Sequence, residues 1–541
     1  MSLSILQQPI DIRVETELGW KQLTLQETGK WSKDRVVVEL AGAQESDGAP
    51  VHLWLESAAE PVLTVKIRWA KQAEGKLLVM GDHWERAYGD LEWRGIVPER
   101  VMPWYFLTNN GNVTNGYGVR TGPSAFCSWK LDQEGITFTA DVRNGAVGVL
   151  LGNRRLEVAA LLAFEGKEGE SAFAAARRFC QLMCLQPVLP SQPVYGGNNW
   201  YYAYGNSSHE EILADSAFIS SLASSEVNRP FMVIDDGWQL ASGGGGCKGA
   251  PWTGSDKFPD MAGLARAMKE TGVRPGIWCR PLMSSDPNVP KEWLRYSASE
   301  TDSVLDPTVP GVLEFIAKSI KEMSDWGFEL IKHDFSTYDL LGEWGFRMKS
   351  NVNSLANTFS DQSRTTAEIV LDLYRTIAEA SGSSLLIGCN TISHLAAGLF
   401  EIQRTGDDTS GKSWERTRYM GVNTMAFRMA QHNTFYSHDA DCIGITKDVP
   451  WELNKQWLDL LAGSGTPLFV SVDPAIVTEE QEAALRAAFD LASQELPPGE
   501  PLDWMETTCP SRWLLNGEET TFEWSRNPLE NADVNDNEWW L

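Results

Sequence analysis

The sequence predicts a multidomain α/β protein: a central (β/α)8 TIM barrel, an N-terminal β-sandwich before it and a small C-terminal β-rich domain after it. Three observations carry that expectation. Residues 1–185 are dominated by short alternating or apolar runs separated by turn clusters. A proline-rich stretch, Gln186-Pro187 through Gln192-Pro193, then interrupts the chain. Beyond it, about eight short apolar runs alternate with amphipathic helical stretches, the pattern of repeated β–α units. A chain of 541 residues is too long for one ordinary core and fits a division into 1–185, 194–472 and 473–541.

In the first region, residues 36–40, 62–67 and 135–140 read as strands, and Asn109-Asn110-Gly111-Asn112 as a turn. Many short strands at this spacing point to a sandwich. Residues 171–185 look helical. In the second region the strand candidates are 194–204, 230–235, 272–278, 328–334, 384–389, 399–404, 433–437 and 467–471. Residues 261–271, 312–326 and 365–380 between them carry helical periodicity. The last region begins helically and ends in strand-like pieces at 512–515 and 520–524, before an acidic block at 530–540.

Composition excludes several classes of function. Lys and Arg total 46 against 73 Asp and Glu, a formal charge of −27. So acidic a surface repels phosphate backbones and anionic lipid, so neither nucleic acid nor membrane is expected as a partner. No long uncharged apolar run suits a membrane span, and the start lacks the basic and apolar regions of a secretory signal. Eight scattered cysteines form no CxxC pair and the seven histidines no metal-ligand pattern, so no metal or cofactor is expected. Reduced thiols in a cytoplasmic protein follow, and a homo-oligomer is compatible with the sequence. The 23 tryptophans outnumber the 12 tyrosines, and indole faces suit sugar C–H surfaces as well as cores.

In a barrel of this type the reactive groups sit where strands finish. The polar residues closing the expected strands are Trp200 and Tyr201, then Asp235-Asp236-Gly237-Trp238, then Trp278. Lys332-His333-Asp334, Cys389 and Arg404 with Asp407-Asp408 follow on later strands. Alternation puts Lys332 and Asp334 on one face and His333 on the other, so Lys332 should favour an ionised, nucleophilic Asp334. A second carboxylate across a sugar acetal would donate a proton to the leaving oxygen, and the local residues leave Asp407 and Asp408 equal in that role. Asp235 and Asp236 suit sugar hydroxyls, with Trp238 and Trp278 as walls. Gly243-Gly244-Gly245-Gly246 lacks the Lys-Ser/Thr of a phosphate loop and is expected to be a loop over the mouth.

On these residues the sequence resembles the α-galactosidases of glycoside hydrolase family 36. The resemblance runs in order through Asn199-Trp200-Tyr201, Ile234-Asp235-Asp236-Gly237-Trp238-Gln239, Phe258-Pro259 and Gly276-Ile277-Trp278. It continues through Ile331-Lys332-His333-Asp334, Leu386-Ile387-Gly388-Cys389, residues 404–409 and His438-Asp439-Ala440-Asp441-Cys442. It implies a retaining double displacement on short α-galactosides, with Asp334 as nucleophile. A family spacing of four residues after an arginine selects Asp408 as acid/base. Asp235 and Asp236 match the positions that hold the O4 and O6 hydroxyls. Lys332, Cys389 and Arg404 match hydroxyl-binding positions, and Trp200, Tyr201 and Trp278 match the pocket wall. Gly81-Asp82-His83-Trp84 and Tyr88 to Trp93 look like a sandwich segment reaching the mouth, with Trp84 as a subsite candidate.

Three places depart from the family pattern. Cys279-Arg280-Pro281 is expected to bring positive charge near the pocket, and Asp407 to raise the proton donor's pKa. Residues 337–346 follow a different form after the nucleophile, which leaves the leaving-group subsites undefined. A related α-glycosidase, a transglycosylase and a non-catalytic carbohydrate-binding barrel are the competing readings. Retention of both Asp334 and Asp408 argues against the last.

Overall fold

The computed structural model describes residues 6–42, 49–71, 75–240, 249–299, 302–348, 352–353 and 357–526. Gly243 to Gly246, Cys247 and the acidic block 530–540 lie outside them. Alternating side chains in the first 165 residues build two antiparallel sheets, one of six strands and one of eight. Val36–Ala41 shows why: Val36, Val38 and Leu40 are buried while the residues between them are partly exposed. Val62–Ala70 is central to the smaller sheet, paired with Asp11–Thr16 on one side and Gly135–Asp141 on the other. The following helix, Ala172–Met183, starts at Ser171, whose hydroxyl accepts the Ala174 N–H at 3.1 Å. Its Phe179 meets Phe164 and Tyr105 of the larger sheet.

After the proline-rich break the chain forms one nine-stranded sheet in which every neighbouring pair is parallel. Its strands are β1 (Tyr195–Asn198), β2 (Phe231–Ile234), β3 (Arg274–Cys279), β4 (Leu330–His333), β5 (Leu385–Gly388), β6 (Ile402–Arg404), β7 (Ser437–Asp439), β8 (Cys442–Ile445) and β9 (Leu468–Val472). Their order is β7-β6-β5-β4-β3-β2-β1-β9-β8. The strands at the two ends, β7 and β8, follow one another in the chain with only Ala440 and Asp441 between them. Asp441 has φ 75°, a left-handed conformation that redirects the chain there. Nearly every strand residue is buried, as expected for parallel strands covered on both faces, and this explains their continuous apolar runs.

Helices Met261–Glu270, Val312–Asp325 and Thr366–Ser381 occupy the expected connections. The last begins with a capping box between Thr365 and Glu368. The strand expected at 433–437 starts only at Ser437, because Asn433 has φ 58° and its N–H closes a turn onto the Tyr436 carbonyl at 2.8 Å. Near the C-terminus, helix Glu479–Ala492 presses Phe489 edge-on against Tyr195 of β1, with ring centroids 5.3 Å apart. A three-stranded antiparallel sheet of Glu500–Pro501, Arg512–Leu515 and Glu518–Thr521 follows; its last strand lies slightly earlier than expected.

One segment of the first region docks against the parallel sheet. Between Asp82 and Tyr88 the chain forms a strap: the Ala87 N–H donates to the Thr405 carbonyl and the Asp407 N–H donates to the Ala87 carbonyl, both at 2.9 Å. Buried Asp82 receives Arg428 and Gln431 at 2.9 and 2.7 Å. Among the described residues seven cysteines are buried and unpaired, and no helix is long and apolar enough to cross a membrane.

Candidate active site

The strand register gathers the polar residues at one end of the parallel sheet. Trp278 on β3 stands beside Lys332 on β4, and Arg404 on β6 beside Asp439 on β7. Asp235, Asp334 and Cys389 each follow the last residue of their strand. The C-terminal ends surround a cavity. Asp334, Asp408, Asp235, Asp236, Trp200, Trp278 and Lys332 line it, and Arg86, Phe335 and Trp344 complete the wall.

Neutral donors hold Asp334. The Trp278 indole N–H donates to its Oδ2 at 3.1 Å. The backbone N–H groups of Phe335 and Asn390 donate to Oδ1 at 2.8 and 3.1 Å. Phe335 itself has φ 62°, a left-handed conformation directly after the carboxylate. Only 9% of Asp334 is exposed. Three donors on a nearly buried carboxylate fix its orientation.

The expectation that Lys332 attends Asp334 is corrected by its geometry. Its ammonium donates to Asp235 Oδ2 at 2.7 Å, and that oxygen also receives the Asn198 amide at 2.7 Å. Burial works against the Lys332 charge, but Asp235 outweighs it and holds the group well above its ordinary pKa. Asp235 Oδ1 accepts the Asp236 N–H at 2.9 Å, and Asp236 Oδ1 accepts the Gln239 amide at 2.7 Å. Two carboxylates and an ammonium therefore form one polar patch able to accept from and donate to neighbouring hydroxyls.

Cations surround Asp408. Arg404 Nη2 donates to its Oδ1 at 3.1 Å, and Arg86 Nη1 approaches the same oxygen at 3.4 Å. Burial alone would raise this carboxyl's pKa, but Arg404, Arg86 and Lys332 together bring it down to about 2. The like charge expected of Asp407 is offset by its own partners. Asp407 is neutralised at 2.8 Å by both Arg86 and Arg416, so it does not act as a bare like charge beside Asp408. The next residue, Thr409, ties this loop to Asp441: its N–H and hydroxyl donate to Asp441 Oδ2 at 2.7 and 3.0 Å. No group of three or more His, Cys, Asp and Glu among the described residues could hold a metal ion.

No protein-family model matches the chain. Solved structures do. An α-galactosidase from Thermus thermophilus, in complex with p-nitrophenyl α-D-galactopyranoside, matches with TM-score 0.61 at 16% identity, over 94% of this chain and 98% of that one. A family 36 α-galactosidase from Geobacillus stearothermophilus gives 0.59 at 13% identity, over 88% and 74%. The galactosidase domain of an α-galactosidase–sucrose kinase gives 0.53 at 14%, over 89% and 73%. The fold is that of the family 36 α-galactosidases.

Within this family 36 fold, five expected site residues do not line the cavity. Arg404 is 1% exposed and braces the site from below: it donates to the Cys389 thiol at 3.3 Å and pairs with Asp441 at 2.8 Å. Cys389 is buried with it, and the Tyr201 hydroxyl donates to Asp441. Trp84 is a core residue, packed edge-on against Trp104 and Phe126 at 5.1 and 5.8 Å. Its segment does reach the mouth, but through Arg86, two residues later. Trp238 is fully buried and supports the wall by donating to the Trp278 carbonyl at 3.0 Å.

Arg280 is likewise not a free charge near the pocket. It forms a bidentate pair with Asp339 at 2.6 and 3.0 Å and lies over the Phe335 ring. His333 packs on the far face of β4 between Tyr374 and Phe400. Arg86, Phe335 and Trp344 were not expected. Phe335 adjoins Asp334, and Trp344 falls in the divergent stretch after it, so both were locally marked; Arg86 lies far away in sequence and carried no such mark.

Proposed function

We propose that this protein is a retaining α-galactosidase that releases terminal α-galactosyl residues from short oligosaccharides. The observation that carries the reading is the placement of Asp334 and Asp408 on one cavity, with Asp235, Asp236 and Lys332 beside them. Asp334 attacks the anomeric carbon while the glycosidic oxygen leaves with a proton from Asp408. Water then gives a proton to Asp408 as its oxygen attacks the same carbon, and the bond to Asp334 breaks. Asp235, Asp236 and Lys332 bind sugar hydroxyls, and Trp200 and Trp278 give the ring an apolar wall. Arg404, Cys389 and Tyr201 position this set from behind.

The same reading treats β7 and β8 as two halves of one strand bent at Asp441. The first half pairs with β6 and the second with β9, so the sheet closes as an eight-stranded barrel. Helix Glu479–Ala492 then belongs to the barrel's outer layer, between a sandwich that ends near residue 185 and the terminal three-stranded sheet. Unpaired buried thiols and an acidic surface suit a cytoplasmic location.

Azide with Asp334→Gly tests the assignment. The expected product is a β-galactosyl azide, because deleting the nucleophile opens that face of the sugar; an α-azide contradicts it. Wild-type protein that turns over α-N-acetylgalactosaminides or α-glucosides in preference to α-galactosides would move the specificity within the same chemistry. Protein that binds galactose and turns over no α-glycoside would support the non-catalytic reading.

A further inference from the structure

The strap places in the cavity one cation to which the reaction above assigns no task. Arg86 is only 5% exposed. Its Nη2 lies 2.8 Å from Asp407 Oδ1, while its Nη1 lies 3.4 Å from Asp408 Oδ1. Trp344 and Tyr88 flank the guanidinium, with centroids 5.2 and 6.0 Å away. The preceding residue, Glu85, is anchored by the Tyr88 hydroxyl, the Asn390 amide and the Gly345 N–H. The following residue, Ala87, is bonded through its backbone to Thr405 and Asp407. The base of the side chain is thus fixed, and its head is shared unequally between two carboxylates. A contact of 3.4 Å is at the edge of hydrogen-bonding range and can be surrendered while the shorter one persists.

The other charges around Asp408 have less freedom. Lys332 is held by Asp235 at 2.7 Å, and Arg404 by Asp441 at 2.8 Å. Arg416 bonds Asp407 at 2.8 Å. The Tyr201 hydroxyl is occupied by Asp441, and the Tyr204 ring carries Lys412 at 4.3 Å. Arg86 is the cation that both lines the cavity and holds Asp408 by its longer contact.

Resting on the retaining reading above, we infer that Arg86 is a positioning residue that times the proton on Asp408. Paired with Asp408 in the glycosyl-enzyme, it favours the carboxylate that takes a proton from water. Drawn back to Asp407 alone when a leaving group fills the cavity, it lets Asp408 accept a proton from solvent and pass it to the departing oxygen.

The test compares Arg86→Gln, Arg86→Lys and Asp407→Asn in the full chain. The readout is kcat/KM against pH on an α-galactosyl disaccharide, whose alkaline limb reports the acid in free enzyme. Arg86→Gln should move that limb up by about one pH unit, the lower end of what one adjacent opposite charge contributes. Arg86→Lys should restore most of the wild-type position. Asp407→Asn should move the limb down, since Arg86 and Arg416 then turn their charge on Asp408. A uniform loss of rate with no displaced limb, or displacement in the same direction by Arg86→Gln and Asp407→Asn, overturns the inference. Titration of ¹³C-labelled aspartate carboxyls, with Asp408 assigned through Asp408→Asn, is independent of turnover. An Asp408 midpoint unmoved by Arg86→Gln overturns the role of Arg86. A midpoint that rises in a protein inactive on every α-glycoside overturns the glycosidase reading instead.

Discussion

The two halves of the cavity are held by opposite means. Asp334 rests on an indole N–H and two backbone amides contributed by β3 and the segments just after β4 and β5. Asp408 rests among Arg404, Arg86 and their partners, drawn from four separated stretches of chain. Neutral donors orient a carboxylate at little cost in net charge. Ionic partners shift its protonation strongly and depend on several distant segments arriving together. A nucleophile needs one state throughout, and an acid/base needs two. Under the proposed mechanism, the difference in construction matches the different tasks of Asp334 and Asp408.

Substitutions on each side should separate the two designs. Asp334→Ala should lower turnover on the order of 10⁴-fold or more for nitrophenyl and disaccharide substrates alike. Asp408→Ala should cost about 10²–10⁴-fold on a disaccharide and far less on the nitrophenyl galactoside, whose leaving group requires no proton. Equal losses on both substrates would move the acid role away from Asp408. Trp278→Phe removes a donor to Asp334 and keeps an aromatic wall. A hydrogen bond to a charged group supports about 1.5–3 kcal/mol, so kcat should fall roughly 10–100-fold with both leaving groups. A fall confined to the disaccharide would break the contrast between the two halves.

Stability supplies smaller contrasts. Arg280–Asp339 is a buried ion pair behind Phe335; Arg280→Met would strand a buried carboxylate and should destabilise the protein by about 3–5 kcal/mol in urea unfolding. His333, with neither ring nitrogen hydrogen-bonded, is pushed by burial down to about 3. The unfolded chain takes up that proton near pH 6.5 and the folded chain does not, so stability should fall as pH drops from about 6.5 toward 3. For this residue the loss at pH 5 is about 2 kcal/mol, and His333→Phe should recover it relative to pH 7 in calorimetry. An unchanged pH dependence would mean that His333 is protonated in place.

The Asp334 half of the cavity was legible in the sequence because its parts are local. A short apolar run ending in Lys332-His333-Asp334 fixes which face each side chain takes, and Trp278 ends the neighbouring run. What alternation does not encode is the bonding partner of a long side chain: Lys332 shares a face with Asp334 yet reaches across to Asp235. The Asp408 half was legible only as an Asp407-Asp408 pair. Arg86 is separated from it by more than 300 positions, and no periodicity links the two. Trp84 shows the reverse error. An aromatic residue in the right segment is drawn into the sandwich core by Trp104 and Phe126, because an indole gains more from close packing than from standing at a wet rim. The strand expected from residue 433 was delayed by a left-handed Asn433, a conformation that local apolarity does not reveal.

Because the strap closes onto Gly406 through backbone bonds on both sides of Ala87, the complete cavity in this chain is a product of assembly. The ribosome makes the sandwich first, and its contribution to the mouth waits until the residues after β6 have emerged and folded. A parallel-sheet region excised for engineering, or exchanged onto another partner during evolution, would keep Asp334 with its donors and the Asp235–Lys332 patch and arrive without the counter-charge beside Asp408.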